Sequence, residues 1–281
     1  MLAGRPPPVL YLCAASSSVP LPFRLTPQGG ILVPVIVNGT EPSVFLLDTG
    51  SSGSVISDEL ATRIGATVVA KRTMTTAAGE KDAFIARIEH LGMGGVTARD
   101  VLATIVPAAD FDLPDLESKR RHVQGVIGQD VLAALRYTID YRKCRVVWHD
   151  TAAGVPRNAA VLELEPHDNR FLVVLPQDRR MLRLVPDTGT EALVLFQVHD
   201  RSEPGVTLAR ESVGLTSLAG SRPARLAVVD ALRIGSRTLM NVAALVVGRE
   251  EGSPAADGLL PLHIFARVTF NGPERQLFIE D

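Results

Sequence analysis

The chain has 281 residues, of which 46% are hydrophobic and 21% charged, and its formal net charge is -2. This composition excludes an intrinsically disordered chain and is typical of a globular protein with substantial cores. The small net charge argues against a nucleic-acid or membrane-surface partner, and no stretch approaches the roughly 20 apolar residues of a membrane span.

Residues 1–22 contain one arginine, a short apolar run that follows three prolines, and then several small residues. The pattern is that of a short secretory leader or, equally, of an N-terminal extension. We therefore expect the folded part to begin at about residue 23. The sequence leaves export to the periplasm or medium and residence in the cytoplasm both open.

The next segment predicts a β-hairpin that ends at an aspartate. Residues 31–48 form two apolar runs around Asn38-Gly39, a pair that is favoured in hairpin turns. The second run continues as "FLLDTGSSGSVIS", so Asp48 lies between an apolar strand and a turn. A carboxylate at the edge of a core needs hydrogen bonds to stay ionised. A single motif of this kind is also compatible with an ordinary turn that begins at aspartate.

Two short helices are expected within an otherwise β-rich pattern. Residues 57–65 begin with Ser57, a favoured N-cap, and end at Gly65, and residues 129–136 form the second helical segment. Alternation of apolar and polar residues predicts strands elsewhere. The predicted fold class is therefore all-β with a few short helices.

The pattern around Asp48 occurs twice in the chain. A second DTG lies at 187–189, and Asp187 follows Asp48 by 139 residues. At this offset residues 23–37 lie over residues 162–176. Three further pairs of segments match at similar offsets, namely 76–106 with 217–247, 125–132 with 258–265, and 136–150 with 267–281. Repetition of whole segments predicts two homologous lobes.

We expect the lobes to span residues 23–150 and 159–281, with a linker at 151–158. Duplication about a pseudo-twofold axis would bring Asp48 beside Asp187 near that axis. Two carboxylates roughly 3 Å apart share one proton, which supplies an acid and a base in one place. Such a pair can activate a water and polarise a peptide carbonyl without a metal. The scattered histidines and cysteines predict no metal site either.

The residues that follow each aspartate fit this chemistry. The glycines allow backbone N–H groups to face the carboxylates, the hydroxyls can bond the charged form, and the threonines can bond between the lobes. These expected supporting residues are Thr49, Gly50 and Ser51 in the first turn and Thr188, Gly189 and Thr190 in the second.

With these motifs the chain resembles a retropepsin-like aspartic peptidase in which two lobes are fused, as in pepsin. "GVIGQD" at 125–130 is similar to the element that passes under the active-site turn, with Gly128 in the glycine position. The resemblance implies bilobal, pseudo-twofold β-barrels and an aspartic endopeptidase that acts on polypeptides through Asp48 and Asp187. It also implies that the enzyme needs no cofactor and, because both half-sites lie in one chain, acts as a monomer.

The same resemblance implies two flaps over a substrate cleft. The turns near Ala78-Gly79 and Ala219-Gly220 would form their tips. An extended peptide would then lie across the cleft and pair its backbone with both hairpins.

The second lobe departs from the family pattern, because Pro186 precedes Asp187, Glu191 replaces a small residue, and Pro261 stands at the position of Gly128. These changes keep a second interpretation open, in which the protein is a catalytically impaired peptide-binding or scaffold protein of this fold. A serine hydrolase is disfavoured because "GSSG" does not match Gly-x-Ser-x-Gly. A phosphatase is disfavoured because "DTGT" lacks the lysine of the phosphorylated-aspartate motif.

Overall fold

The computed structural model describes residues 10–11, 19–76, 79–111, 122–177, 180–197, 205–217, 220–248 and 256–281. The first half contains the strands β1 Leu10–Tyr11, β2 Leu21–Pro22, β3 Arg24–Leu25, β4 Ile31–Val37, β5 Ser43–Leu47, β6 Val55–Ser57, β7 Thr67–Thr76, β8 Gly79–Met93, β9 Val96–Val106, β10 Val123–Ile127, β11 Arg136–Asp140 and β12 Arg145–Trp148. The second half contains β13 Ala160–Glu163, β14 Glu165–His167, β15 Arg170–Pro176, β16 Met181–Asp187, β17 Leu193–Gln197, β18 Val206–Ser217, β19 Gly220–Ile234, β20 Arg237–Gly248, β21 Gly258–Pro261, β22 Arg267–Asn271 and β23 Gln276–Glu280. The helices are α1 Asp58–Arg63, α2 Gln129–Leu132 and a 3₁₀ turn at Ala108–Phe111.

The first lobe is a closed barrel. Its strands follow the order β1-β9-β6-β10-β5-β4-β8-β7, with β3 beside β4. Because β8 pairs with both β4 and β9, the strands β9, β6, β10, β5, β4 and β8 form a closed ring. Phe45, Ile56 and Ile88 are fully buried inside it. Burial alternates along β5, which leaves its last residue inside the core and delivers Asp48 at the rim.

The second lobe repeats this arrangement with strands in the order β14-β15-β16-β21-β17-β20-β19-β18. Here β16 pairs in parallel with β21 just as β5 pairs in parallel with β10. In each lobe this parallel pair places a supporting strand beside the strand end at which Asp48 or Asp187 lies. The predicted fold class is confirmed, since the described residues form almost only β-strands, arranged in two β-barrel lobes with a few short helices.

A six-stranded sheet joins the two halves of the chain in the order β13-β23-β22-β11-β12-β2. At its centre β11 of the first half pairs antiparallel with β22 of the second, with Arg136 opposite Asn271. Tyr137 and Phe270, on these two strands, stack with ring centroids 4.9 Å apart. The lobes are thus connected by main-chain hydrogen bonds as well as by the chain itself.

The local predictions for the first lobe agree with the structure except at the second helix. The turn residues Asn38 and Gly39 both have positive φ, 49° and 74°, as the predicted hairpin requires. The Ser57 side chain accepts a hydrogen bond from Leu60 N at 3.0 Å and so caps α1. The predicted helix at 129–136 was too long, since α2 ends at Leu132. The chain then turns so that residue 136 can begin β11.

The alignment of the two halves also needs a correction upstream of the second DTG. In the first lobe Ile31 lies opposite Leu47, which places Gly30 opposite Asp48. In the second lobe Val173 lies opposite Leu184, and continuing that register places Arg170 opposite Asp187. The buried positions of β4 match those of β15 at an offset of 140. The hairpin loop of the second lobe is therefore one residue shorter, and the predicted offset of 139 was wrong for this strand.

Most of the predicted leader lies outside the described residues. Within residues 1–22, Leu10–Tyr11 pair with β9 and Leu21–Pro22 pair with β12. In the described part of the chain, no helix is long and apolar enough to cross a membrane.

Candidate active site

Asp48 follows β5 directly and is held from below by β10. Its backbone N–H donates to the Ile127 carbonyl at 3.0 Å. Its Oδ1 accepts hydrogen bonds from Gly50 N at 2.8 Å and Ser51 N at 3.1 Å. The carboxylate is half-buried, and two N–H donors replace part of the hydration that it loses.

Asp187 ends β16 and occupies the equivalent place in the second lobe. Its backbone carbonyl accepts a hydrogen bond from Leu262 N at 3.1 Å. Its Oδ1 accepts one hydrogen bond from Gly189 N at 2.6 Å, and only 7% of the residue is exposed. The second carboxyl group is therefore more deeply buried than the first and receives fewer backbone donors.

The two carboxyl groups are close enough for each to shift the pKa of the other. Each turn also packs against the carboxyl group of the other lobe. A Cβ built on Gly50 would lie 2.4 Å from Asp187 Cγ, and one built on Gly189 would lie 3.1 Å from Asp48 Cγ. The structure thus brings together the two aspartates and the two glycines that the sequence pattern singled out.

The two threonines of the DTG turns form a reciprocal set of hydrogen bonds between the lobes. Thr49 N donates to Thr188 Oγ1 at 3.0 Å, and Thr188 N donates to Thr49 Oγ1 at 3.1 Å. The Thr49 hydroxyl donates to the Pro186 carbonyl at 2.8 Å, and the Thr188 hydroxyl donates to the Leu47 carbonyl at 2.6 Å. All four bonds are buried, so they fix the position of one aspartate relative to the other.

We expect Thr188→Val to lower the free energy of unfolding by about 1–3 kcal/mol, because it leaves a buried N–H and a buried carbonyl unpaired. Thr188→Ser keeps the hydroxyl and loses one methyl group, so it should cost only about 0.8 kcal/mol. Urea unfolding of both variants measures the difference. A valine variant as stable as the serine variant would show that these bonds do not hold the lobes together.

Burial and proximity raise the pKa of both aspartates. For Asp187 burial raises the pKa well above its ordinary value, and the negative charge of Asp48 adds to the effect. For Asp48 burial also raises the pKa, but the N–H groups of Gly50 and Ser51 and the hydrogen bond from Asp187 counteract it. Both carboxyl groups therefore hold a proton more strongly than a free aspartate does.

Gly128 lies under the first turn, in the position predicted for it. A Cβ there would lie 2.5 Å from the backbone of Gly53, so this close approach requires glycine. Its N–H donates to Ser54 Oγ at 3.2 Å, and the Ser54 hydroxyl donates to Asp130 at 2.8 Å. The next residue, Gln129, donates its side-chain amide to the Thr49 carbonyl at 3.0 Å. Together these bonds support the turn from below.

In the second lobe the three residues of this polar network, Ser54, Gly128 and Asp130, are all replaced. Pro261 has no N–H, and Leu193 stands where the first lobe has its serine acceptor, so the donor and the acceptor of this hydrogen bond are lost together. His263 stands where the first lobe has its aspartate and lies 2.9 Å from the Cβ position of Gly29. The ring Nδ1 of His263 is buried without a hydrogen-bond partner among the described residues. Pro186 likewise contributes to the site through its carbonyl, which a proline retains.

The role expected for the hydroxyls of Ser51 and Thr190 needs revision. The hydroxyls of Ser51 and Thr190 do not contact the carboxylates in the structure. They donate to the carbonyls of Gly53 at 2.8 Å and Ala192 at 3.1 Å, and so close their own turns. The predicted role falls instead to backbone N–H groups. Glu191 is exposed, and the described residues contain no cluster of three or more metal-ligating side chains.

The predicted flap hairpins are present as strand pairs. Thr76 lies opposite Gly79 in β7–β8, and Ser217 lies opposite Gly220 in β18–β19. The tip residues Ala78 and Ala219 lie outside the described residues.

Two residues near the dyad were not predicted from the sequence. Burial, and then the charge of Asp187, raises the pKa of the Tyr141 hydroxyl, which is a buried donor near the second aspartate. Arg170 interacts electrostatically with both carboxylates. The position of Arg170 could have been found by allowing for the shorter hairpin loop of the second lobe. With an offset of 140, Arg170 aligns with Gly30, which lies next to the strand that leads to the first DTG.

Residues 33–131 match the model of the aspartyl protease family, which covers the first DTG turn and the segment beneath it. The resemblance to retropepsin-like aspartic peptidases is confirmed by this match. Among solved structures, a retropepsin-like aspartic protease from Rickettsia conorii is 19% identical, with a TM-score of 0.35, and the alignment covers 47% of this chain and 91% of that chain. No curated protein matches the chain. The family and the fold support a protease-like, hydrolytic function.

Proposed function

We propose that the protein is an aspartic endopeptidase that hydrolyses peptide bonds with a water activated by Asp48 and Asp187. The observation that supports this proposal is the close approach of each DTG turn to the carboxyl group of the other lobe, together with the electrostatic interaction of the two carboxyl groups. The aspartyl protease match over residues 33–131 supports the same class of reaction. The reciprocal threonine bonds supply the rigidity that a preorganised acid and base require.

The unequal surroundings of the two carboxyl groups suggest their roles. Asp48 accepts two backbone N–H bonds and is the better-stabilised anion, whereas Asp187 accepts one and is more buried. The shared proton therefore resides mainly on Asp187. Asp48 removes a proton from the water as its oxygen attacks the carbonyl carbon, and Asp187 gives its proton to the carbonyl oxygen. The intermediate collapses when Asp48 gives its proton to the amine nitrogen as the C–N bond breaks, while Asp187 takes one hydroxyl proton of the diol, which restores the starting protonation state.

The substrate in this proposal is an extended polypeptide that lies between the lobes 23–150 and 159–281. The β7–β8 and β18–β19 hairpins offer main-chain groups that can pair with such a peptide. This geometry favours unfolded chains or exposed loops over folded domains.

The alternative of an impaired peptide-binding or scaffold protein draws on the single N–H donor at Asp187 and on Pro261. It also draws on His263, whose buried ring Nδ1 has no hydrogen-bond partner among the described residues. Against it, the donor and the acceptor of the Gly128–Ser54 hydrogen bond are lost together in the second lobe. The serine, aspartate and glycine of the first lobe are exchanged together for Leu193, His263 and Pro261. The paired loss of this donor and this acceptor favours a maintained site.

Cleavage of an unfolded protein between pH 3 and pH 8 tests the proposal. We expect a bell-shaped profile with an acidic optimum, because the working state holds one shared proton. On the alkaline side that proton leaves and the general acid is lost. A flat profile through pH 8, or complete inhibition by a metal chelator, would contradict the dyad mechanism.

We further propose that the active species is a monomer, because both DTG turns and their mutual hydrogen bonds belong to one chain. Light scattering during a dilution series should give a constant mass with constant specific activity. Activity that falls with dilution as a dimer dissociates would overturn this.

A further inference from the structure

Arg170 lies on the strand next to the one that carries Asp187, and its charge acts on both carboxyl groups of the dyad. It is the first residue of β15, which pairs antiparallel with β16, the strand that ends at Asp187. The observed pairs run from Val173–Leu184 to Pro176–Met181, and continuing this register places Arg170 opposite Asp187. Side chains at opposed positions of neighbouring strands point to the same side. The first lobe has Gly30 at the equivalent position, so only one side of the dyad carries this side chain.

The guanidinium group of Arg170 acts on the two aspartates through its charge, but its Nε makes no hydrogen bond to the described residues. Its Nε is buried without a hydrogen-bond acceptor, although the residue as a whole is partly exposed. Other arginines of this lobe are paired, for example Arg183 with Glu165 at 2.9 Å and Arg267 with Glu280 at 3.3 Å. A buried donor without an acceptor is costly in the free protein and is satisfied when a ligand supplies the acceptor.

The charge of Arg170 changes which substrates can approach the dyad. With one shared proton the two aspartates carry a single negative charge, which would repel an acidic side chain of a peptide. The positive charge of Arg170 acts on both carboxylates and offsets this repulsion. A guanidinium group also matches the geometry of a carboxylate, to which it can donate two parallel hydrogen bonds.

We propose that Arg170 is a specificity-determining residue that binds a carboxylate of the substrate, so that peptides with glutamate or aspartate next to the scissile bond are preferred. This inference rests on the proposed function, since it assumes that the cleft binds peptides. Because the first lobe has glycine at this position, the preference applies to one side of the scissile bond only.

Binding of matched peptides to the Asp48→Asn variant tests the proposal without requiring cleavage. Each peptide pair differs only in carrying Glu or Gln at one of the four positions nearest the scissile bond. We expect about a tenfold preference for Glu at one position, which corresponds to about 1.4 kcal/mol. Adding Arg170→Gln should reduce the ratio to about one, Arg170→Lys should retain part of it, and Arg24→Gln, which removes an exposed arginine of the first lobe, should leave it unchanged.

A Glu-to-Gln ratio that Arg170→Gln does not change would overturn the inference, and so would absence of binding by either peptide at every position. If the ratio depends on Arg170 but the wild-type enzyme cleaves none of the peptides, the proposed function fails while the carboxylate site stands. A second readout uses a neutral substrate. Arg170→Gln should raise the pKa of both aspartates and move the pH profile of kcat toward higher pH, whereas Arg170→Lys should not.

Discussion

Replacing either Asp48 or Asp187 by asparagine is expected to lower kcat by about 10³-fold or more. The reaction needs a base for the water and an acid for the carbonyl oxygen, and one carboxyl group cannot supply both at the same moment. The double variant should therefore be little worse than either single variant. Steady-state cleavage of an unfolded protein at the pH optimum of the wild type measures all three.

Asp100→Asn is a suitable control for these variants. Asp100 is an exposed residue with φ 54°, a conformation that asparagine tolerates well, and its ion pair with Arg87 is long at 3.7 Å. Its activity should equal that of the wild type. If Asp187→Asn retained near-normal proteolysis while Asp48→Asn lost it, the second lobe would act only as a scaffold. A wild-type protein inactive on every unfolded substrate would favour the impaired-fold alternative.

The same substitutions should have the opposite effect on stability. The pKa of Asp187 is higher in the folded state than in the unfolded chain, so protonation of this residue stabilises the fold. This stabilisation is complete below the ordinary aspartate pKa and is lost as the pH rises through the pKa of Asp187 in the folded state. Above that value the wild type keeps a buried charge beside Asp48, which Asp187→Asn removes. Near neutral pH we expect the variant to have a Tm about 2–4 °C higher, equivalent to about 1 kcal/mol. The difference should disappear at pH 3.

The part of the site that depends on local sequence could be predicted. The Asn38-Gly39 turn and the apolar runs beside it determine a hairpin, and the hairpin determines where Asp48 emerges. Repetition of the motif then predicts that Asp187 emerges at an equivalent point. A repeat with a parallel strand beneath each turn leaves few ways to arrange the two halves other than face to face.

The part that depends on side-chain rotation and on loop length could not be predicted in the same way. A hydroxyl next to an aspartate can bond the carboxylate or a nearby carbonyl, and Ser51 bonds the Gly53 carbonyl. The motif cannot distinguish these two geometries. The one-residue shorter hairpin of the second lobe has a larger consequence, because it moves Arg170 from a core position equivalent to Ile31 to a position beside the dyad.

The contact between Gly50 and the opposite lobe gives a sharp test of how closely the two carboxyl groups must fit. A Cβ at Gly50 would lie 2.4 Å from Cγ and 2.7 Å from Oδ1 of Asp187. A methyl group at Gly50 therefore cannot be accommodated unless the Asp187 carboxyl group moves. This side chain is short and belongs to a strand, so it has little room to move. Gly53 lies in the same turn, and a Cβ there would meet nothing within 4 Å. The two glycines therefore form a matched pair.

Gly50→Ala is expected to lower kcat by about 10²-fold or more, because a displacement of about 1 Å between reacting groups costs that much. Gly53→Ala should stay within a factor of about two, since it adds a methyl group to open space. Neither glycine has a positive φ, so backbone strain does not distinguish the two variants. Tm values measured alongside kcat show whether the lobes remain folded. Equal activities for the two variants would mean that Asp187 can shift without loss of function, and the dyad geometry described above would then not be the catalytic one.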